Sequence, residues 1–487
     1  LYRHSMKKKY VRWTLWTIAS PFILFIILCI LIYLPPIQNF LVDKAAVYAS
    51  EATGMNISVG RISLSFPLNL VVTNVDAASP HNDTLLSVRR LQVNVQLLPL
   101  LKKQVEVDGI SLQGATVNSN DLIHGMKLNG TLGELFISSH GVALDPETAI
   151  VNKVLLKDTD LSLCLNDTAA ADTAASDTTY WKIILQDIDL QNVSFALDMP
   201  LDSLSLAASL DNAILRDGLI DLHKSAYSLQ TFRIKNGRVR YDSGKPLAAD
   251  SLPSGLDPSH IALTDIGVKL DSLYYGGRNM KAIISQFVLK ERSGVEIVSA
   301  TGRMVSNDKV LRVPSLKLET RDSYLELNAA MDWNALDFKG EGLMSARLMA
   351  DIGKPDVVRF MGRMDEKFVR QYPSEPLRIR TGIDGDLNKL KLTTLTAELP
   401  GALGLFARGE LTHLTDSLLR GGDITLEAET KDLKFVSTLA EGIEIPYGTR
   451  LEGKFTMAGA KMGTDLLLMQ PEAQAVAAAD TIPITVY

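Results

Sequence analysis

A chain of 487 residues has room for roughly two to four domains of ordinary size, or for one long repetitive body. Its 46% hydrophobic content excludes a disordered chain, and aromatics at only 6% favour many thin β layers over a few thick globular cores. The net charge of −6, without a basic run in the body, excludes nucleic acid as a partner.

Residues 1–12 carry five basic side chains, Arg3, Lys7, Lys8, Lys9 and Arg12, and no acid. Residues 13–35 are the predicted transmembrane anchor, because Trp13 to Leu34 is 22 residues without a charge. As a helix it would span about 33 Å, against a bilayer core of about 30 Å. Trp13 and Trp16 at one end and Tyr33 at the other stand where an aromatic belt forms, and Phe22 and Phe25 fill the apolar middle. Pro21 is expected to kink the helix. A cleaved signal peptide is the competing reading, but the bulky run Leu34 to Phe40 offers a peptidase no small-x-small site. The positive-inside rule then puts residues 1–12 in the cytoplasm and the body across the membrane. Cys29 lies in this segment and Cys164 in a predicted strand, so the two cannot form a disulfide.

Residues 36–54 read as a short amphipathic helix, with Pro36 near its start and Gly54 at its end. From Met55 the apolar period changes from 3.6 to 2, as in the alternating stretch Leu91 to Leu97. The phase of this alternation flips within several strands: at Asp108-Gly109, at Gln191-Asn192, and between Ile234 and Val239. A one-residue slip would turn every later side chain to the other face, so each flip requires a bulge or tight turn there. Asn and Gly are the residues able to adopt the backbone angles needed. The strand pattern continues through Val154–Leu165, Asp265–Leu273, Ile283–Leu289, Val310–Leu318, Tyr324–Met331, Ile383–Leu399 (which should hold a turn), Leu403–Leu411 and Ile424–Phe435. At about 12–15 residues per strand and turn, a body of about 30 strands is expected.

Residues 55–350 are thus the first β region, with a solvated Asp/Thr/Ala loop inserted at 166–179. Residues 351–373 read as a second helix, whose Val357, Met361, Met364 and Phe368 form one apolar stripe. The β pattern resumes over 374–470, and 471–487 reads as an irregular tail.

No catalytic constellation is present. The seven histidines are scattered singly, no metal-ligand spacing occurs, and nucleotide-binding and nucleophile-elbow motifs are missing. Asp158/Asp160 and Asp187/Asp189 fit a solvated sheet face better than a metal site, since no Gly-bounded calcium loop follows. No enzyme activity, cofactor or metal is expected.

The order of a basic stub, an anchor, a short helix ending in Thr53-Gly54 and then Asn56 to Ser65 resembles the start of the AsmA-like and TamB-like family. Val93 to Leu101, with its Pro-Leu-Leu corner, followed by Val105 to Leu112, is similar to the same family. The resemblance implies an inner-membrane, single-pass protein with a periplasmic body: mainly β, elongated and curved into an antiparallel U-shaped groove with two short amphipathic helices. It implies a role in outer-membrane biogenesis, with phospholipid acyl chains in the groove and, for the TamB-like members, assembly of outer-membrane proteins with an outer-membrane β-barrel partner. The strand-rich C-terminal domain that engages the barrel is not found here, so the resemblance implies a C-terminally truncated member.

Sheet physics leads the same way, because an apolar face must be covered and the helices are too few to cover it. Either the sheet folds on itself and fills with side chains, or acyl chains fill it. In the second case Val93, Val95, Leu97, Val105, Val107, Ile110 and Leu112 are the expected groove lining. Ordinary core packing is the alternative for each of them. The alternative for the whole chain is a structural or adhesive β-repeat stalk without lipid.

Overall fold

The structure, a computed structural model, describes residues 44, 46–47, 50–51, 53–65, 69–79, 83–96, 107–119, 126–143, 147–166, 180–244, 255–337, 341–362, 365–439, 447–458, 461–469 and 481–486. The protein is mainly β, and the described pairings are antiparallel. It divides into two compact units: Leu1–Thr179 with Ile183–Leu201, and Tyr180–Lys182 with Asp202–Tyr487.

In the first unit, β1 (Asn56–Ser65), β2 (Asn69–Ala78), β3 (Thr84–Val95), β4 (Val107–Asn118), β5 (Met126–Ala143) and β6 (Thr148–Leu165) pair in chain order. β7 (Lys182–Met199) meets β6 through side chains: Asn192 Nδ2 donates to Asp158 Oδ1 at 2.9 Å, and Asn152 Nδ2 to Gln186 Oε1 at 2.9 Å. Helical residues between Lys44 and Thr53 precede β1. Gly54, at φ 69°, ends them by donating its N–H to the Ser50 carbonyl at 2.9 Å, as the sequence suggests. The rest of the helix expected over 36–54 lies outside the described residues, as do residues 167–179 of the loop expected over 166–179 and the membrane span expected over 13–35.

In the second unit, β8 (Leu204–Asp221) is followed by β9 (Ala226–Leu229) and β10 (Thr231–Ser243), which lie end to end between β8 and β11 (His260–Gly276). The ladder continues through β12 (Asn279–Glu291), β13 (Glu296–Ser306), β14 (Val310–Thr320), β15 (Tyr324–Asp332), β16 (Met344–Ile352), β17 (Leu377–Gly385) and β18 (Lys389–Leu399). It closes with β19 (Leu403–Thr412), β20 (Gly421–Thr430), β21 (Arg450–Ala458), β22 (Lys461–Met469) and β23 (Thr481–Val486). The turn expected inside Ile383–Leu399 is present between β17 and β18.

The phase flips fall at left-handed residues, and in the first unit these form one transverse line along which the register does not shift. Asn74 (φ 52°), Gly114 (φ 61°) and Asp158 (φ 49°) are left-handed on β2, β4 and β6. The register sets them opposite Gly60, Arg89 and Gly133 on β1, β3 and β5. The left-handed residues crowd their partners: a Cβ on Gly133 would lie 2.8 Å from the Asp158 Cβ. Each flip keeps one face apolar, as β1 shows. Its Ile57, Val59, Ile62 and Leu64 are half-buried, whereas Asn56, Ser58, Arg61, Ser63 and Ser65 are exposed. Asn192 and Asn236, both at φ 52°, bear out the flips expected at those residues, and one extra residue on β4 between Val107 and Gly109 bears out the third.

Three details depart from expectation. β5, β6, β7 and β8 each run 18 residues, because positive-φ residues such as Asp158, Asn192 and Asp217 change phase without ending the strand, so the strands are longer than expected. The tail expected to be irregular over 471–487 contains β23, whose Thr481–Val486 pairs with β22 and carries Pro483, tolerable on an edge strand. The helix expected over 351–373 is two helices, α1 (Lys354–Met361) and α2 (Glu366–Gln371). Gly362, at φ 75°, ends the first, and Asp365 caps the second by accepting from the Lys367 N–H at 2.8 Å. The stripe is therefore split: Phe368 is buried, Met361 is exposed, and Met364 lies outside the described residues.

Among the described residues a buried hydrophobic cluster lies in this region. Phe368, Tyr372, Leu399, Ala402, Leu433 and Phe435 pack with Val357 and Leu377, so the helices cover the ends of β17, β18 and β19. Burial pushes the Tyr372 phenol above its ordinary pKa. α1 is tied down by the buried Asp356, which accepts from Thr320 Oγ1, from Ser323 Oγ at 2.6 Å and from Arg359 Nη1 at 3.1 Å. Asp356→Ala would take this acceptor from the Thr320 and Ser323 hydroxyls, while Arg359 keeps Asp322 at 3.0 Å, and is expected to cost about 3 kcal/mol in chemical unfolding. A loss under about 1 kcal/mol, the net worth of an ordinary hydrogen bond, would mean that α1 is held by its apolar contacts instead.

Candidate functional site: the apolar sheet faces

Antiparallel register places directly opposed residues on the same side of a sheet, so reading the pairs across successive strands gives rows. In the first unit one row runs Leu64, Leu70, Val93, Ile110, Ile137, Val154. The adjacent row runs Ile62, Val72, Leu91, Leu112, Leu135, Leu156. Neither contains a polar residue. Val95 opposes Val107 beyond the β4 bulge and extends the same side. The register thus brings together Val93, Val95, Val107, Ile110 and Leu112 of the expected lining, while Leu97 and Val105 lie outside the described residues. Sequence reading missed their partners on β1, β5 and β6, because alternation within a strand carries no information about register.

The second unit repeats the arrangement over more strands. A row begins Ala213, Ile234, Val268, Phe287, Ala300, Leu318 on β8 and β10 to β14. It continues Leu325, Ala350, Ile379, Ala397, Leu405, Ala428, Leu451 on β15 to β21. In the adjacent row, which includes Leu316, Leu327, Leu348, Leu395 and Leu426, Thr381 is the one polar member from β14 to β20. The alanines Ala213, Ala300, Ala350 and Ala428 are buried between larger neighbours. The larger members, such as Leu318, Leu325, Ile379 and Leu405, are only half-buried. A second packed layer would have buried them, as it does where the helices cover Leu399.

The other side of each sheet is polar. In the first unit Arg90 Nη2 donates to Gln92 Oε1 at 3.3 Å, and Ser87 Oγ to Asp76 Oδ1 at 2.6 Å. In the second unit ion pairs cross neighbouring strands: Arg380 to Asp351 at 2.7 Å, Lys389 to Glu410 at 3.1 Å and Lys454 to Asp423 at 2.8 Å. At the bulge residue Asp265, a hydrogen bond from Lys290 holds the carboxyl below its usual range and raises the Lys290 amine. These exposed pairs add little stability each, but they set charge against charge in the register that aligns the apolar rows.

Among the described residues, no group of three His, Cys, Asp or Glu could hold a metal ion, and no helix is long and apolar enough to cross a membrane. The expected anchor residues Trp13, Trp16, Pro21, Phe22, Phe25 and Tyr33 lie outside the described residues. The chain matches no protein-family model, and no curated protein matches it.

Proposed function

We propose that this is a membrane-anchored envelope protein of the AsmA-like and TamB-like kind, whose apolar β faces form a groove that carries phospholipid acyl chains. In this reading residues 13–35 hold the chain in the inner membrane, the body lies in the periplasm, and the protein serves outer-membrane biogenesis without enzymatic activity. One observation carries the proposal: rows of Leu, Ile, Val, Phe and Ala cross strand after strand without a charge, and their larger members are half-exposed. Water is a poor partner for such a surface, and an acyl chain is a good one. Laying about ten methylenes along it would gain about 8 kcal/mol before the cost of ordering the chain. An uncharged row also offers no site at which a sliding chain would be trapped.

The test is mass spectrometry of lipids that co-purify with residues 36–470 expressed in a periplasm. Phospholipid in stoichiometric amount is expected, and Val95→Asp or Val107→Lys is expected to deplete it at the membrane-proximal end with the body still folded. A stable, lipid-free protein would favour a β stalk instead. Unfolding of both variants would point to a closed side-chain core.

A further inference from the structure

On the polar face of the second unit, opposite the apolar rows, β14 to β18 line a hollow of about 470 Å³ that is open to solvent, with Arg312, Arg347 and Asp384 exposed at its rim. Two local irregularities open it. The β14–β15 register shifts between Val313 and Leu316, where Pro314 has no N–H for the ladder, and the β17–β18 register shifts at Thr393. Between these points the positions on this face are small: Ala330, Ser345 and Gly382. The missing side-chain volume makes the hollow.

Arg312, Arg347 and Asp384 stand around it, with Asn328, Ser345 and Thr393 as neutral polar neighbours. All three charged residues lie in the same two rows. Arg312, Ala330, Ser345 and Asp384 form one, and Asn328, Arg347 and Gly382 the other. Elsewhere on β16 to β18 this face carries ion pairs, Arg380 on Asp351 at 2.7 Å and Arg378 on Glu398 at 3.7 Å. Among the described residues neither arginine makes an ion pair, and Asp384 has no cationic partner although Lys391 is its cross-strand neighbour.

We infer that this hollow binds a zwitterionic phosphate–ammonium group of the phosphoethanolamine type, with Arg312 and Arg347 on the phosphate and Asp384 on the ammonium. Two planar guanidinium forks suit the oxygens of one phosphate, a single carboxylate suits one ammonium, and the hollow holds both without an internal pair to break. Such a group comes either from a free phosphoethanolamine ester or from a lipid headgroup at a membrane surface. The site lies on the face away from the acyl-chain rows, so it stands or falls separately from the lipid-groove proposal.

The test is calorimetric titration of the full chain in detergent with O-phosphoethanolamine, inorganic phosphate and ethanolamine, each alone. O-Phosphoethanolamine is expected to bind at least tenfold more tightly than either fragment. Arg312→Gln and Arg347→Gln should each weaken it about tenfold, as expected for loss of one charged hydrogen-bond partner. Asp384→Asn should erase the preference over inorganic phosphate while leaving phosphate binding intact, a split that general misfolding would not produce. Flotation with phosphatidylethanolamine vesicles, compared with phosphatidylglycerol vesicles, separates the two sources: preference for the former assigns the headgroup, and its absence beside tight binding of the free ester assigns the soluble ligand. Equal affinity for phosphate and O-phosphoethanolamine, a uniform gain in anion binding by Asp384→Asn, or no binding at all would overturn the inference.

Discussion

A Phe368→Ala variant is expected to lose about 3–5 kcal/mol of stability in the second unit. Phe368 is 1% exposed and is the largest apolar side chain so deeply buried among the described residues. Its ring lies 5.5 Å from that of Tyr372 and 5.9 Å, edge-on, from that of Phe435. Truncation would remove both aromatic contacts and leave a cavity beneath α2, a helix of six residues that is too short to persist without tertiary packing. Urea unfolding followed at Trp333 measures the effect. A loss below about 1 kcal/mol would show that the neighbours collapse into the space and that the cluster does not depend on this ring.

Leu327→Asp is expected to cut phospholipid co-purifying with the second unit more than tenfold while leaving the protein folded. Leu327 opposes Leu316 on one side and Leu348 on the other, in the middle of an apolar row. Because the position is half-buried, the carboxylate can stay hydrated, and the substitution should cost only about 1–3 kcal/mol of stability. An acyl chain crossing that point would have to strip the charge of water, which is far more expensive. Lys317→Gln, on the polar face, is the control and should leave lipid unchanged. The outcome fatal to this account is a folded Leu327→Asp protein that carries wild-type amounts of lipid.

Much of this fold is legible along the chain because β structure writes itself in period 2. Asn192 and Asn236 could be picked out as flip points, since so few residue types tolerate the left-handed region. Asn74, Asp158 and Asp265 play the same part without standing out as flip points in the sequence, because their flanking residues alternate less cleanly. The helix break was also written locally: Gly362 and Asp365 form a stop followed by a cap, and the apolar stripe running through them masked it. What could not be read is anything that register decides. Val93 and Ile110 could be proposed together, but their meeting with Ile137 and Val154 depends on turn lengths and bulge counts summed over several strands. The same holds for the hollow, where Arg312, Arg347 and Asp384 are unremarkable polar-face residues on β14, β16 and β17 until pairing sets them side by side.

The transverse line through Gly60, Asn74, Arg89, Gly114, Gly133 and Asp158 has a consequence for how such a chain can change its length. In an uninterrupted strand, losing one residue inverts every position beyond it and exposes a whole apolar edge to water. Here each strand is already spliced from two segments of opposite parity. Because neighbouring strands change phase at the same line without a register shift, removing one residue from a single strand would turn one of its halves against neighbours that still switch there. The line is therefore a shared seam: a change of length on one side of it is tolerated only if the strand's own switch stays in step with those beside it.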